Sequence, residues 1–139
     1  MATIFTKIIN GEIPCYKIYE DEYVFAFLDI KPHQLGHTLI VPKIEVDHFA
    51  DVPEPYYSAV FSAAKKISPA IQKATGARRV GASILGFEVP HFHYHLIPLI
   101  EMGDICPDRA RERTHEEMQS VHAKILQAMK EIEEVQGSL

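Results

Sequence analysis

The chain has 139 residues, of which 47% are hydrophobic and 24% are charged, a composition typical of one globular domain. We expect a single domain over residues 1–139. The formal net charge of -5 at pH 7 provides no overall positive field, so we expect neither a nucleic acid polymer nor an anionic membrane surface as a partner. A small phosphate ligand stays compatible with this charge, because a local pocket of backbone N–H groups can bind phosphate.

The cysteine content indicates a reducing compartment. Cys15 and Cys106 are the two cysteines, and they lack the dense spacing of a secreted disulfide scaffold. We interpret both as free thiols. The first residues do not place a basic segment before an apolar one, and no apolar run approaches the ~20 residues that span a bilayer. We therefore expect a cytoplasmic protein.

The first part of the chain predicts one short helix and three strands. Apolar residues three and four positions apart favour the helix, which Gly11 and Pro14 end. Alternating or continuous apolar residues between turn residues favour the strands. The predicted ranges are 4–9 for the helix and 16–20, 23–28 and 37–41 for the strands.

The second part predicts two longer helices and two strands. Pro69 lies within the helical pattern of the central helix and should kink or interrupt it. Thr114 and Glu117 form a capping-box pattern before the apolar stripe of the last helix. The predicted ranges are about 53–76 and 114–135 for the helices and 78–84 and 90–99 for the strands. The order β-β-β-α-β-β-α indicates an α+β domain with an antiparallel sheet of about five strands.

Three of the eight histidines fall within five residues, at His91, His93 and His95. On a strand their side chains would share one face at intervals of ~6.6–6.8 Å, while the apolar residues between them pack on the other face. Such a row can hold a nucleophile, its orienting partner and a proton donor. Two other interpretations remain: a chance cluster on a solvated face, and a metal site that His37 approaches.

The His-x-His-x-His motif, with apolar residues between and after the histidines, resembles the signature of the histidine triad (HIT) family. Gly86 and residues 4–14, 27–30 and 36–43 resemble the same family in the same order. The resemblance weakens in the central helix and after about Ile100. It implies a HIT-like fold, no cofactor, and a homodimer that binds a purine nucleotide and cleaves it at the α-phosphate.

The resemblance also implies roles for single residues. His93 corresponds to the nucleophile, and His91 and His95 correspond to its flanking partners. His37 corresponds to a fourth histidine near the phosphate. The residues that correspond to the enclosure of the base are Ile4, Phe5, Ile8, Phe27 and Ile30. Packing in the core is the alternative interpretation of these apolar residues.

Asp29 corresponds to the acid that binds the ribose hydroxyls. A carboxylate suits this role, because charge-assisted hydrogen bonds to a vicinal diol are strong. The alternative interpretation is a loop acid that caps nearby backbone groups before Pro32.

The segment from Gly86 to Val89 is the predicted phosphate site, since its backbone N–H groups can bind phosphoryl oxygens. It departs from the family at Phe87, where glutamine is common, and at Glu88, where a hydroxyl residue is common. Residues 80–84 also lack the usual asparagine. These departures leave the family motif intact and bear on the choice of leaving group.

Some members of the family carry a structural zinc held in part by two cysteines near the start. The corresponding positions here are Thr3 and Thr6, so we expect no metal. The other histidines lack a supporting pattern, and we interpret them as surface residues: His33, His48, His115 and His122.

Together these features favour a hydrolase acting at the α-phosphate of purine nucleotides, as a nucleoside phosphoramidase or nucleotidyl hydrolase with a nucleotidyl-histidine intermediate. An unperturbed histidine titrates near ~6.5, so a neutral His93 can attack phosphorus while a protonated neighbour supplies a proton to the leaving group. One alternative is a dinucleoside polyphosphate hydrolase, which needs room and positive charge for a phosphate chain. Another is a nucleotide- or metal-binding module with little turnover.

Overall fold

The computed structural model describes residues 2–137, in which three α-helices flank a five-stranded antiparallel sheet. The strands are β1 (Lys17–Glu20), β2 (Val24–Leu28), β3 (Thr38–Pro42), β4 (Arg79–Ser83) and β5 (Tyr94–Leu99). The helices are α1 (Ile4–Ile9), α2 (Tyr56–Thr75) and α3 (His115–Gly137). The strand order is β1-β2-β3-β5-β4. This architecture confirms the predicted α+β class.

The two faces of the sheet carry separate apolar clusters, and alternation along β2 divides them. Val24, Ala26 and Leu28 pack in the cluster that α2 and α3 cover. Phe25 and Phe27 pack in the cluster that α1 covers. Because both faces are covered, β2 and β3 are buried along their whole length. Each large apolar side chain buried in this way contributes about 1.5–3 kcal/mol.

The central helix α2 continues through Pro69 from Tyr56 to Thr75, so the proline does not interrupt it, and the predicted kink stays a prediction. Ile67, Ala70 and Ile71 are fully buried on either side of the proline, and their packing outweighs the lost hydrogen bond. The helix ends at Gly76, whose φ of 70° is in the left-handed region that glycine adopts without strain.

The last helix begins with the predicted capping box. The Thr114 hydroxyl accepts from the Glu117 N–H at 3.1 Å, and the Glu117 carboxylate accepts from the Thr114 N–H at 3.0 Å. Its buried stripe completes the larger core cluster. No helix within residues 2–137 is long and apolar enough to cross a bilayer.

Strand β5 begins at Tyr94, four residues after the predicted start at Pro90. The preceding segment turns away from the sheet, because the Phe92 N–H donates to the Val46 carbonyl at 2.7 Å, beyond the end of β3. His91 and His93 therefore lie before the strand, and the prediction of three histidines on one strand is wrong.

The predicted separation of apolar residues and histidines onto opposite faces of the sheet nevertheless holds at the motif. Phe92, Tyr94 and Leu96 pack in the cluster beneath α2. His95 pairs with Leu39, which belongs to the cluster beneath α1. The motif thus separates imidazoles from core side chains even though only its end is a strand.

The two edges of the sheet differ in how they are covered. At the β1 edge, His122 of α3 donates from Nε2 to the Lys17 carbonyl at 2.7 Å. At the opposite edge, no strand within the described residues pairs with the outer side of β4. Unpaired N–H and C=O groups along an edge strand are a template for a second chain. We propose that β4 is part of a homodimer interface.

We expect the protein in solution to have twice the monomer mass of 15.7 kDa, because pairing of two β4 edges satisfies backbone groups that water alone would otherwise hydrate. Light scattering and sedimentation at micromolar concentration measure this mass directly. A monomeric mass across the micromolar range would contradict the proposed interface.

Candidate active site

A cavity of about 320 Å³ opens beside His93 and His95. It gathers six of the predicted site residues, which come from the loop after β2, the segment after β4, and the histidine motif. These residues are Asp29, Gly86, Phe87, Glu88, His93 and His95. Lys31, His33, Leu85, Pro107 and Ala110 complete the lining.

His93 is held in one tautomer. Its Nδ1 lies 2.8 Å from the His91 carbonyl oxygen, and because a carbonyl only accepts, Nδ1 carries the proton. The lone pair of the neutral ring is therefore on Nε2. The Phe5 ring packs edge-on against His93, with ring centroids 4.9 Å apart. The ring of His93 thus presents a nucleophilic nitrogen in a fixed orientation.

His91 does not line the cavity, and both of its ring nitrogens are engaged elsewhere. Its Nε2 donates to the Pro42 carbonyl at 2.9 Å, and its Nδ1 lies 2.8 Å from the Thr3 hydroxyl, which donates to it. The side chain is only 1% exposed. His91 therefore orients His93 through its own carbonyl.

His37 and His95 form a hydrogen-bond chain with one direction. The His33 backbone N–H donates to Nδ1 of His37 at 3.1 Å, so the neutral His37 ring carries its proton on Nε2. That Nε2 lies 2.9 Å from Nδ1 of His95. His95 therefore accepts at Nδ1 and carries its own proton on Nε2. The ring offers a hydrogen-bond donor to the cavity.

Burial keeps these imidazoles neutral. Burial, followed by the nearby His93 and His33, lowers the pKa of His95 to about 4. Burial and the neighbouring His95 hold the pKa of His37 well below its ordinary value. Burial also lowers the pKa of His91. The expected protonated neighbour of His93 is therefore not His91, His95 or His37 in the free protein near pH 7.

The contacts of Asp29 fit both interpretations, a loop acid that caps backbone groups and a ligand-binding acid. Its Oδ1 accepts from the Lys31 N–H at 2.9 Å, as expected of a loop acid. Its Oδ2 lies 3.8 Å from Nε2 of His37. Burial raises the pKa of Asp29 despite the opposing hydrogen bond from Lys31. One carboxylate oxygen is thus used by the loop, and the other lies at the cavity.

The segment after β4 has the backbone properties expected of a phosphate site. Gly86 has a φ of 84°, in the left-handed region, which lets the chain turn at the cavity. The N–H groups of Gly86, Phe87 and Glu88 make no hydrogen bond within residues 2–137. Backbone donors of this kind can bind phosphoryl oxygens.

The residues expected to enclose the base are not in the lining of the cavity. Phe5, Ile8 and Phe27 are buried in the cluster beneath α1, and Val89 packs against that cluster. Ile4 and Ile30 are 48% and 70% exposed. The cluster reaches the cavity where Phe5 contacts His93.

The prediction that His33 is a surface residue is wrong. It is 7% exposed, lines the cavity, and its Nδ1 donates to the Asp104 carbonyl at 2.9 Å. Its ring stands edge-on to His37, with centroids 4.6 Å apart. Its position between Asp29 and His37 was the one signal in the sequence. His48 and His115 are exposed as predicted.

The loop that holds His33 is organised by Asp104. The Asp104 side chain is fully buried and accepts from the N–H groups of Ile100 and Glu101, from Gln34 and from Arg109, at 2.9–3.0 Å. Burial opposes its ionisation, but these donors together keep its pKa below the ordinary value. The Asp104 carbonyl is therefore a fixed acceptor for His33.

Asp29, His37 and His95 bring potential metal-ligating atoms within 4.8 Å of one another. The hydrogen bond from the His33 N–H disfavours a metal there, because it places the His37 proton on Nε2, the atom that would have to bind the ion. His37 and His95 therefore fit a neutral hydrogen-bond chain, with the Asp29 carboxylate beside it, better than the three residues fit a metal centre.

Thr3 and Thr6, which the sequence resemblance matches to zinc-ligating cysteines, belong to a hydrogen-bonded network. The Glu45 carboxylate accepts from the Thr3 N–H and the Thr6 hydroxyl, both at 2.6 Å. The Thr3 hydroxyl bonds His91. Neutral hydroxyls are not zinc ligands, so these residues do not fit a structural zinc. Their hydrogen bonds instead tie α1 to the motif.

Comparison with known proteins identifies the family. Residues 10–102 match the HIT domain. The adenosine 5'-monophosphoramidase of Saccharomyces cerevisiae is 35% identical over 128 residues, covering 90% of this chain and 81% of that protein. The adenylylsulfatase of Arabidopsis thaliana is 38% identical over 100 residues, covering 68% of this chain and 51% of that protein.

A HIT-like protein of Bartonella henselae superposes with a TM-score of 0.80 at 33% identity, covering 91% of this chain and 95% of that one. The chain belongs to the HIT family.

We expect His95 to titrate with a midpoint of about 4 in the free protein, which NMR of ring-labelled histidine can measure. The unfolded chain binds this proton near the ordinary value of 6.5. Between these values the unfolded state binds more protons than the folded one, so the free energy of unfolding falls as pH falls from 6.5 towards 4. A His95 midpoint near 6.5 would contradict the neutral hydrogen-bond chain.

Proposed function

We propose that this protein hydrolyses purine nucleoside phosphoramidates and related nucleotidyl compounds at the α-phosphate, through a nucleotidyl-His93 intermediate. The observation that carries the proposal is the tautomer of His93, whose Nε2 lone pair belongs to a ring that lines the cavity. Two relatives are named as enzymes that act on adenylyl compounds, a 5'-monophosphoramidase and an adenylylsulfatase.

The proposed reaction has two displacements. In the first, Nε2 of His93 forms a bond to the α-phosphorus, and the bond from phosphorus to the leaving nitrogen breaks. In the second, water attacks the same phosphorus, the bond to Nε2 breaks, and the nucleoside monophosphate leaves. Dividing one displacement into two easier ones is the general advantage of covalent catalysis.

The surrounding groups would stabilise the charge that develops on the phosphoryl oxygens. The Nε2–H of His95 supplies one side-chain donor, and the free N–H groups of the Gly86 segment supply backbone donors. Preorganised donors of this kind each contribute about 2.7–4 kcal/mol to transition-state stabilisation. The Oδ2 atom of Asp29 would accept from the ribose hydroxyls.

The charge of the cavity favours a nucleotide conjugate over a dinucleoside polyphosphate. Lys31 is the single lysine or arginine in the lining, and Asp29 and Glu88 oppose it. A carboxylate ~4 Å from a phosphate costs on the order of 1–4 kcal/mol at effective dielectrics of 80 to 20. A chain of several phosphates would meet this cost repeatedly, whereas one α-phosphate can bind at the backbone donors.

The mouth of the cavity is apolar on the side of the segment after β4. Phe87 is 94% exposed and Leu85 is 47% exposed, and Pro107 and Ala110 line the same cavity. An exposed phenylalanine contributes binding energy once a ligand removes it from water. We propose that this side receives the leaving group.

We expect His93→Ala to reduce turnover below a few per cent of the wild-type rate and to change nucleotide affinity by less than about tenfold, because the nucleophile acts mainly in the transition state. Release of nucleoside monophosphate from adenosine and guanosine phosphoramidates measures the rate, and calorimetry measures binding. His48→Ala is the matched control, since His48 is exposed and outside the cavity. Substantial activity of His93→Ala would refute the assigned nucleophile. Stoichiometric binding by the wild type without product would indicate a binding module.

We expect Phe87→Gln to lower kcat/KM for an arylalkyl amine leaving group about tenfold relative to a small polar amine, because removing one apolar contact costs roughly 1–3 kcal/mol. Nucleotide affinity should change little. Phe49→Gln is the matched control, because Phe49 is 46% exposed and lies outside the lining. Equal selectivity of wild type and Phe87→Gln would place the leaving group elsewhere.

A further inference from the structure

The partners of the ring nitrogens divide the buried histidines into two groups. His37 and His91 have both nitrogens bonded to protein groups. His33, His93 and His95 each have Nδ1 bonded to a protein group, and their Nε2 atoms have no hydrogen-bond partner within residues 2–137. All three rings of the second group line the cavity. The third histidine at the cavity is thus His33, and His91 of the sequence motif is not in the lining.

The three Nε2 atoms are accessible. In the part of the chain that the structure describes, Ser83 Oγ and Arg113 Nε are the side-chain polar atoms that are closed to solvent without a partner. The three Nε2 atoms do not belong to this set. The three Nε2 atoms also do not all lie within 4.8 Å of one another, since among residues 2–137 only Asp29, His37 and His95 bring three potential metal-ligating atoms that close together. The three rings therefore do not form a three-histidine metal centre.

The neutral form of each ring presents a different group to the cavity. His93 and His33 each hold the proton on Nδ1, because each bonds a carbonyl there, so Nε2 has a lone pair. His95 holds its proton on Nε2. The cavity therefore contains one nucleophile, one hydrogen-bond donor and one base.

His95 is poorly suited to giving its proton away. If His95 gave its Nε2 proton away, it would have to take up at Nδ1 the proton that His37 donates there. His37 would then have to gain a replacement proton at its own Nδ1. The group that donates to this atom is the backbone N–H of His33, which does not release its hydrogen. The neutral chain supports donation of a hydrogen bond and opposes full proton transfer.

We propose that His33 is the acid–base residue of the two displacements, a proposal that rests on the function proposed above. In the first displacement, protonated His33 gives its Nε2 proton to the leaving nitrogen as the bond from nitrogen to phosphorus breaks. In the second, neutral His33 takes a proton at Nε2 from the water that attacks phosphorus while the bond to His93 breaks. One turnover thus moves one proton from water to the amine and restores both histidines.

The variant His33→Asn tests this role with little structural change. The asparagine amide can keep the donor to the Asp104 carbonyl, and the backbone N–H to His37 remains, whereas the group at the Nε2 position is lost. His48→Asn is the matched control, because His48 is exposed and outside the cavity. Thermal unfolding of both variants checks that the fold is kept.

The experiment compares two adenosine substrates, a phosphoramidate with an alkyl amine leaving group and a 4-nitrophenyl ester of AMP. The nitrophenolate needs no proton to leave. Rapid quench and intact mass spectrometry under alkaline conditions measure formation and decay of nucleotidyl-His93. With the ester, we expect His33→Asn to form the intermediate at the wild-type rate and to hydrolyse it about 10²-fold more slowly. With the amine, formation should slow as well, and added imidazole should restore part of both rates.

Equal losses in the rate of formation of nucleotidyl-His93 from the two substrates, or no loss in its rate of hydrolysis, would overturn the role of His33 and would assign the proton transfer to His95 or another group. If His33→Asn does not fold, His33→Gln and the response of ring-labelled wild type to AMP provide the test. AMP should then shift the Nε2 resonances of His33, His93 and His95 and leave those of His91 unchanged. An unshifted His33 would contradict the proposal. Failure of the proposed function is distinct, since the wild type would then form no nucleotidyl-His93 with either substrate.

Discussion

The chemistry of the cavity depends on one hydrogen bond, which Nδ1–H of His93 donates to the carbonyl of His91. This bond decides which ring nitrogen holds the lone pair and prevents rotation of the ring. The carbonyl can serve only because His91 is held by Thr3 on one side and Pro42 on the other. The helix α1 and the end of β3 thus control the orientation of His93, although neither contributes a group to the cavity lining.

The second constraint is the charge that a row of buried imidazoles can hold. The ring centroids of His33 and His37 are 4.6 Å apart, those of His37 and His95 are 5.2 Å apart, and those of His93 and His95 are 5.0 Å apart. Two positive charges at ~5 Å repel by about 3 kcal/mol at an effective dielectric of 20. Burial adds to this cost and lowers the pKa values of His37 and His95. The row therefore favours few protons at once, which suits a single proton carrier.

Much of the fold could be predicted from local patterns. The capping box at Thr114, the glycine at Gly76 and the apolar run of β2 each act within a few residues, and each predicted an element that the structure contains. Local patterns were less reliable where distant contacts compete with a local rule. Buried Ile67 and Ile71 keep α2 intact around Pro69, and the bond from Phe92 to Val46 delays the start of β5.

The sequence by itself determined the family, the division of the motif between imidazole and apolar faces, and the identity of most groups at the cavity, because spacing and residue type carry this information locally. Only the tertiary structure decided which histidines reach the cavity and which nitrogen of each ring is free. The reason is the distance along the chain between partners: Thr3 and His91 are separated by 88 positions, His33 and Asp104 by 71, and His37 and His95 by 58. An imidazole has two chemically different nitrogens, and a motif that names the residue does not name the partner that selects between them.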